Sequence, residues 1–189
     1  MQRIIWTAGI SGVVIDDDGE PFKDLFNAKQ SWNLLPFPTK ASLEGFVDKG
    51  WSVEGAFTYS KYKAGKTINS DIIKTGGSFI AFDVNAKYDL NEVIGDTKAF
   101  SPYGIAGVGY TYRAVMDKKH CPTLNIGVGF NVWFYRGFGI NVQSMAKFKF
   151  IPGTSNYLMH SVGLVYRFNL LTGYKTPGRL GHRYNLFRN

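Results

Sequence analysis

Residues 158–169, LMHSVGLVYRFN, decide how the rest of the chain reads. Side chains in a strand alternate between two faces. His160, Val162, Leu164, Tyr166 and Phe168 therefore share one face, while Met159, Ser161, Gly163, Val165 and Arg167 share the other. The first face is greasy and ends in aromatics. A strand of an ordinary sandwich would read the same way, so the flanking segments must choose between architectures.

Working outward, 138–150 places Phe138, Ile140, Val142, Ala146, Phe148 and Phe150 opposite Asn141, Gln143, Lys147 and Lys149. The segment 124–135 sets Leu124, Ile126, Val128, Phe130, Val132 and Phe134 against Asn125, Gly127, Gly129, Asn131, Trp133 and Tyr135. Arg136 and Gly137 between these two runs predict a tight hairpin turn. Residues 102–115 are strand-like, but PYGIAGVGYTY is too rich in glycine and aromatics to assign its faces. Residues 78–90 put Ile80, Phe82, Val84, Ala86, Tyr88 and Leu90 opposite Asp83, Asn85, Lys87 and Asp89, and NEVIGDTKAF after them reads as a short helical connection.

Nearer the start, 51–62 alternates Trp51, Val53, Phe57 and Tyr59 with Ser52, Glu54, Thr58 and Ser60. A DKG turn joins it to 37–47, where Ala41, Leu43 and Val47 oppose Lys40, Ser42, Glu44 and Phe46. The first strand, 3–15, carries Ile4, Trp6, Ala8, Ile10 and Val14 on one side and Thr7, Gly9 and Ser11 on the other. Residues 16–36 read as a long solvated loop, because Gly19 follows the acidic run too soon for an EF-hand. The polar stretch 63–77 contains KAGKT but lacks the P-loop spacing, and no helical pattern follows it.

Eight strands of about 11 to 13 residues result, joined alternately by long polar loops and mostly shorter turns. A tilted strand of about that length crosses a bilayer. Closing the sheet leaves no unpaired edge, which hydrocarbon requires because an unsatisfied backbone group there costs several kcal/mol. The expected fold is all-β: an eight-stranded antiparallel up-and-down transmembrane β-barrel over 1–170, with a short basic periplasmic tail over 171–189.

Composition agrees. Of the 189 residues, 44% are hydrophobic, 16% are aromatic and 22 are glycine, which excludes disorder and suits a barrel with aromatic girdles and a crowded interior. No window approaches the roughly 20 apolar residues of a transmembrane helix. Mean hydropathy is −0.13, as expected when lipid-facing residues alternate with polar ones. Cys121 is the lone cysteine, read as a free loop thiol; no zinc-like spacing surrounds it, and no metal or cofactor is expected. The formal charge is +8, yet the basic residues are scattered, so nucleic-acid binding is not expected. The start, MQRIIWTAGIS, has no signal-peptide core, so an exported chain would be numbered here from near its processed end.

Two features favour lipid outside over a soluble ligand carrier. The bulky apolar face of the sixth and seventh strands opposes glycine and asparagine, which suit a narrow lumen. Aromatics at Trp51, Tyr88, Phe138, Phe148, Phe150 and Phe168 gather towards strand ends, as interfacial girdles do. Charges inside must then pair, and Glu44 and Glu54 are expected to meet Lys147 and Arg167, filling the lumen or gating ions.

The spacing Ser161, Gly163, Tyr166, Phe168 resembles the closing-strand signal of outer-membrane barrels. Together with WNLLPFP at 32–38, KYDLNEVIGD at 87–96, GFNVWF at 129–134 and HSVGLVYRF at 160–168, it makes the chain resemble the N-terminal barrel of OmpA-like outer-membrane proteins over about residues 3 to 169. The resemblance implies a bacterial outer-membrane location, contact with outer-membrane lipids and lipopolysaccharide, and a structural rather than enzymatic role. It departs after Phe168, where a peptidoglycan-binding domain commonly follows. Here LLTGYKTPGRLGHRYNLFRN stands instead, and Tyr174, Lys175, Arg179, Arg183, Tyr184, Phe187 and Arg188 are read as a docking tail for other outer-membrane or periplasmic proteins.

The expected function is thus a non-enzymatic accessory or scaffold subunit of a larger outer-membrane assembly serving protein insertion, secretion or import, with a stand-alone envelope barrel as the alternative, followed by a lipid-modifying enzyme or a small pore. Lipid chemistry at a rim would need a nucleophile beside a base. His120 lies with Lys118, Lys119 and Cys121, His160 faces lipid or the interface, His182 is in the tail, and no matching Ser and Asp constellation is evident.

Overall fold

The computed structural model describes residues 2–17, 32–36, 38–65, 67–68, 71–72, 75–97 and 99–172. Eight long strands form the barrel: β1 (Gln2–Asp16), β2 (Lys40–Asp48), β3 (Trp51–Tyr62), β4 (Gly77–Asp89), β5 (Phe100–Arg113), β6 (His120–Tyr135), β7 (Phe138–Lys149) and β8 (Tyr157–Thr172). Each pairs antiparallel with its neighbours in sequence, and β8 returns to pair with β1 from Gln2↔Thr172 to Asp16↔Leu158. The sheet is closed, so none of these strands is left as an edge.

Following partners around the wall from Trp6 leads through Gly45, Val53, Ala86, Ala106, Ile126, Ala146 and Leu158 back to Asp16, ten residues along β1. In an eight-stranded barrel a stagger of this size tilts the strands by about 40°. It also decides which lumenal side chains share a height.

The turns follow from local chemistry. Lys49 and Gly50 have φ of 44° and 84°, and Arg136 and Gly137 have φ of 38° and 89°. Two consecutive positive φ values make the hairpin turn whose twist matches that of the strands it joins. The β4–β5 connection holds the expected short helix, α1 (Asn91–Ile94), anchored where Asn91 Nδ2 donates to the Phe100 carbonyl at 3.1 Å. These turns, with both ends of the chain's described part, define one end of the barrel. The opposite end carries the longer loops.

Alternation places the faces as the sequence implies. Among outward residues, Phe82 is 58% and Val128 62% exposed, whereas lumenal Lys147 and Asn125 are each 0% exposed. A polar lumen inside an apolar wall is the inverse of a soluble domain, and it is the arrangement a bilayer demands. The outer face of β5, unassigned from sequence, carries Ala106, Val108 and Tyr110, and Tyr103, Ile105, Thr111 and Arg113 turn inward. At the turn end, Trp51 packs on Tyr88 with centroids 4.8 Å apart, and Phe138 on Tyr166 at 4.6 Å. No helix among the described residues is long and apolar enough to cross a membrane.

Three sequence expectations are corrected. Strand β6 begins at His120 rather than Leu124, because Tyr112↔His120 extends the ladder to the rim. Cys121 is therefore no loop thiol: it points inward, fully buried, with Sγ 3.2 Å from Thr154 Oγ1. The acidic run is not wholly solvated either. Asp16 and Asp17 are 1% and 0% exposed, and a short strand, Trp32–Leu34, pairs with Val14–Asp16.

Candidate functional site

Polar chemistry collects in two places, the lumen and one patch of the outer wall. In the lower lumen, towards the turn end, Glu44 and Glu54 lie directly opposite on β2 and β3. Two carboxylates so placed repel unless a cation stands between them. Lys87 from β4 supplies it, with Nζ 2.9 Å from Glu44 Oε2 and 2.6 Å from Glu54 Oε2. Lys40 Nζ lies 3.7 Å from Glu54 Oε1 and donates to Gln143 Oε1 at 3.2 Å. Ser52 Oγ donates to Glu44 at 2.6 Å, Asn85 Nδ2 to Glu54 at 3.3 Å, and the Lys87 ammonium stands 4.6 Å over the Tyr103 ring. Below this network is a cavity of about 40 Å³, bordered by Glu44, Lys87, Asn131 and Arg167.

The two carboxylates do not meet Lys147 and Arg167 as expected. Lys147 Nζ sits 2.5 Å from Asp83 Oδ1, which also accepts from Asn125 Nδ2 at 2.9 Å. Arg167 lies with its guanidinium 3.8 Å over the Trp133 ring. Lys147 stands on the register row that runs from Glu54 through Asn85, Gly107 and Asn125, four strands from Glu54, and the tilt of the wall carries it to the level of Asp83. Arg167 borders the same small cavity as Glu44, with its guanidinium on Trp133. Gly109 makes room for the Lys147 pair, since a Cβ there would overlap Asp83 Oδ1.

At the loop end the lumen is sealed differently. Arg113 Nη1 is 2.8 Å from Asp17 Oδ2, and both side chains are wholly buried. Tyr62 OH donates to Asp17 Oδ2 at 3.0 Å and Ser155 Oγ to Oδ1 at 2.5 Å. Arg113 Nη2 donates to the Ser155 carbonyl at 3.1 Å. Val13, Ile15, Phe79, Tyr157, Met145 and Met159 close around this knot. Neither Asp17 nor Arg113 was legible as a partner, because one looked like loop and the other ended a strand of unassigned faces.

The closing-strand residues divide as alternation requires. Ser161 is buried in the lumen and Tyr166 faces outward, packed between Phe138 and Phe168. Gly163 lies where β8 approaches β1 so closely that a Cβ would overlap the Ile10 carbonyl. Tyr174, Lys175, Arg179, Arg183, Tyr184, Phe187 and Arg188 lie outside the described residues.

On the outer wall, between Lys61, Ser78 and His120 at one rim and the aromatics at the other, and apart from Asp16, which has outward parity but is 1% exposed, the described outward residues of the strands are apolar, aromatic or glycine, except for Ser144 and His160. These two are direct cross-strand partners, and Ser144 Oγ lies 2.9 Å from His160 Nδ1. Asp16 lies beside Leu158, one outward position above His160's own partner Val14. Its Oδ2 accepts from Trp32 Nε1 at 3.2 Å, and the Trp32 ring centroid is 6.1 Å from that of His160. Sequence reasoning found no Ser and Asp near a histidine because the three belong to different strands. Their shared outward parity was the available signal.

No protein-family model and no curated protein matches the chain. Solved structures do. Neisserial surface protein A aligns with a TM-score of 0.56 at 12% identity, covering 88% of this chain and 97% of that one. The N-terminal β-barrel domain of Pseudomonas aeruginosa OprF aligns with 0.52 at 15%, covering 86% and 97%. Ail, the attachment invasion locus protein of Yersinia pestis, aligns with 0.50 at 17%, covering 89% and 100%. At such identities the likeness is one of fold, and the fold is that of the eight-stranded bacterial outer-membrane barrels.

Proposed function

We propose that the chain is a closed structural barrel of the bacterial outer membrane, acting as an accessory or scaffold subunit through its wall and rims rather than through its lumen. The lumen carries the reading. Its four paired carboxylates among the described residues, Asp17, Glu44, Glu54 and Asp83, are each met by a cation within 4 Å, and lumenal Asn85, Asn125, Arg113 and Lys147 are each 0% exposed. An interior so filled suits mechanical support, not passage of solutes. What remains for contact is the apolar wall, which fits hydrocarbon, and a loop-end rim where Lys61, Lys118 and Lys119 are exposed to anionic headgroups such as those of lipopolysaccharide.

The test is affinity capture of the tagged full chain from gently solubilised outer membranes, with and without residues 173–189. Stoichiometric partners that disappear on truncation are the expected result and would identify the process served. A barrel recovered alone from both would instead favour the stand-alone envelope role.

A further inference from the structure

The lipid-facing wall should be free of polar side chains, because hydrocarbon offers them no hydrogen-bond partners. A polar or ionisable group kept there marks a site. Ser144 and His160 break the apolar band of the described strands, and they do so together, on β7 and β8, with Asp16 adjoining on β1. Scattered surface polarity would not converge on three neighbouring strands. Nor would it place a hydroxyl 2.9 Å from an imidazole nitrogen with a carboxylate, itself 1% exposed, close by.

We propose that Ser144, His160 and Asp16 form an acyl-ester hydrolase site on the outer wall, acting on a carboxylic ester of a membrane lipid. Nucleophile, base and acid are recognised by geometry and role rather than by order in the chain. His160 Nδ1 takes the proton as Ser144 Oγ attacks the ester carbonyl carbon. The bond to the lipid alcohol breaks, and that alcohol leaves with the proton from His160. Water, with His160 again as base, then cleaves the Ser144 acyl ester and releases a fatty acid. Asp16 acts through His160, its negative charge favouring the imidazolium formed in each half-reaction, so it is a positioning residue. The wall's ladder already uses the backbone N–H groups of these strands. The indole N–H of Trp32 is likewise in use, donated to Asp16 Oδ2 at 3.2 Å, where it holds that carboxylate on the patch. Substrate reaches such a site laterally, within the bilayer.

This activity would be additional to the scaffold role and does not rest on it. The experiment uses the full chain folded in detergent micelles, its folding verified by heat-dependent gel mobility. A fluorophosphonate probe tests Ser144, and release of labelled fatty acid is followed from micelles of diacylphosphatidylethanolamine or of lipid A. The expected result is probe attachment at Ser144 and fatty-acid release from one of the two lipids, which then identifies the ester. Both signals should vanish in Ser144→Ala and fall by about 100-fold or more in His160→Gln. They should persist in Ser78→Ala, a rim serine outside the site. Asp16→Asn should lower kcat more than it raises KM, and equal kinetics would overturn its part. Absence of Ser144 labelling in a folded barrel, or labelling without release from either lipid, would overturn the proposal.

Discussion

The two ends of the lumen solve the same problem in different ways. At the loop end a single pair, Asp17 and Arg113, is wholly buried and locked by Tyr62 and Ser155. Towards the turn end Glu44 and Glu54 share Lys87, Glu54 also faces Lys40, and a small cavity adjoins. Among the described residues, the first arrangement has no second ionic partner for either charge. The second has redundancy, and Glu44 is 21% exposed. Burial without redundancy makes a rigid seal, whereas sharing makes a network that can lose one member and remain partly satisfied.

The sharpest way to break this contrast is Arg113→Met, which strands Asp17 in a closed core. Loss of about 3–5 kcal/mol is expected, read as a lower urea midpoint of the folded barrel in micelles. Pairing that change with Asp17→Asn should recover much of the loss, since the uncompensated charge is then gone. At the other end Glu54→Gln leaves Lys87 with Glu44 and Lys40 with Gln143, so the same titration should show a smaller loss, about 1–3 kcal/mol. Glu44→Gln touches a partly exposed group and should cost at most about 1 kcal/mol. If Glu44→Gln proved as damaging as Arg113→Met, the redundancy argument would fail. The smallest effect belongs outside the lumen altogether. Ser78→Ala removes a rim hydroxyl away from the Ser144–His160 pair and should shift stability by no more than about 0.5 kcal/mol.

How much of this was readable beforehand varied with the range of the interaction. The outward faces of β6, β7 and β8 follow from period two alone, and Gly50 and Gly137 announced their turns. β5 resisted because Gly104, Gly107 and Gly109 erase the contrast between its faces. Arg113, at its end, was therefore not recognised as lumenal. Asp16 and Asp17 looked like solvated loop because DDDGE carries no periodicity, yet the closing knot and Trp32 bury them. The candidate site on the wall was split among three strands. Each strand alone shows one unremarkable polar residue.

The sequence by itself determined the number of strands, their alternation and therefore an inside-out barrel, because these depend on side-chain period and turn chemistry within a few residues. The tertiary structure alone decided which side chains meet. A stagger of ten residues around the wall sets their heights, so Lys147 reaches Asp83 rather than Glu54, and Ser144, His160 and Asp16 come to stand on one patch.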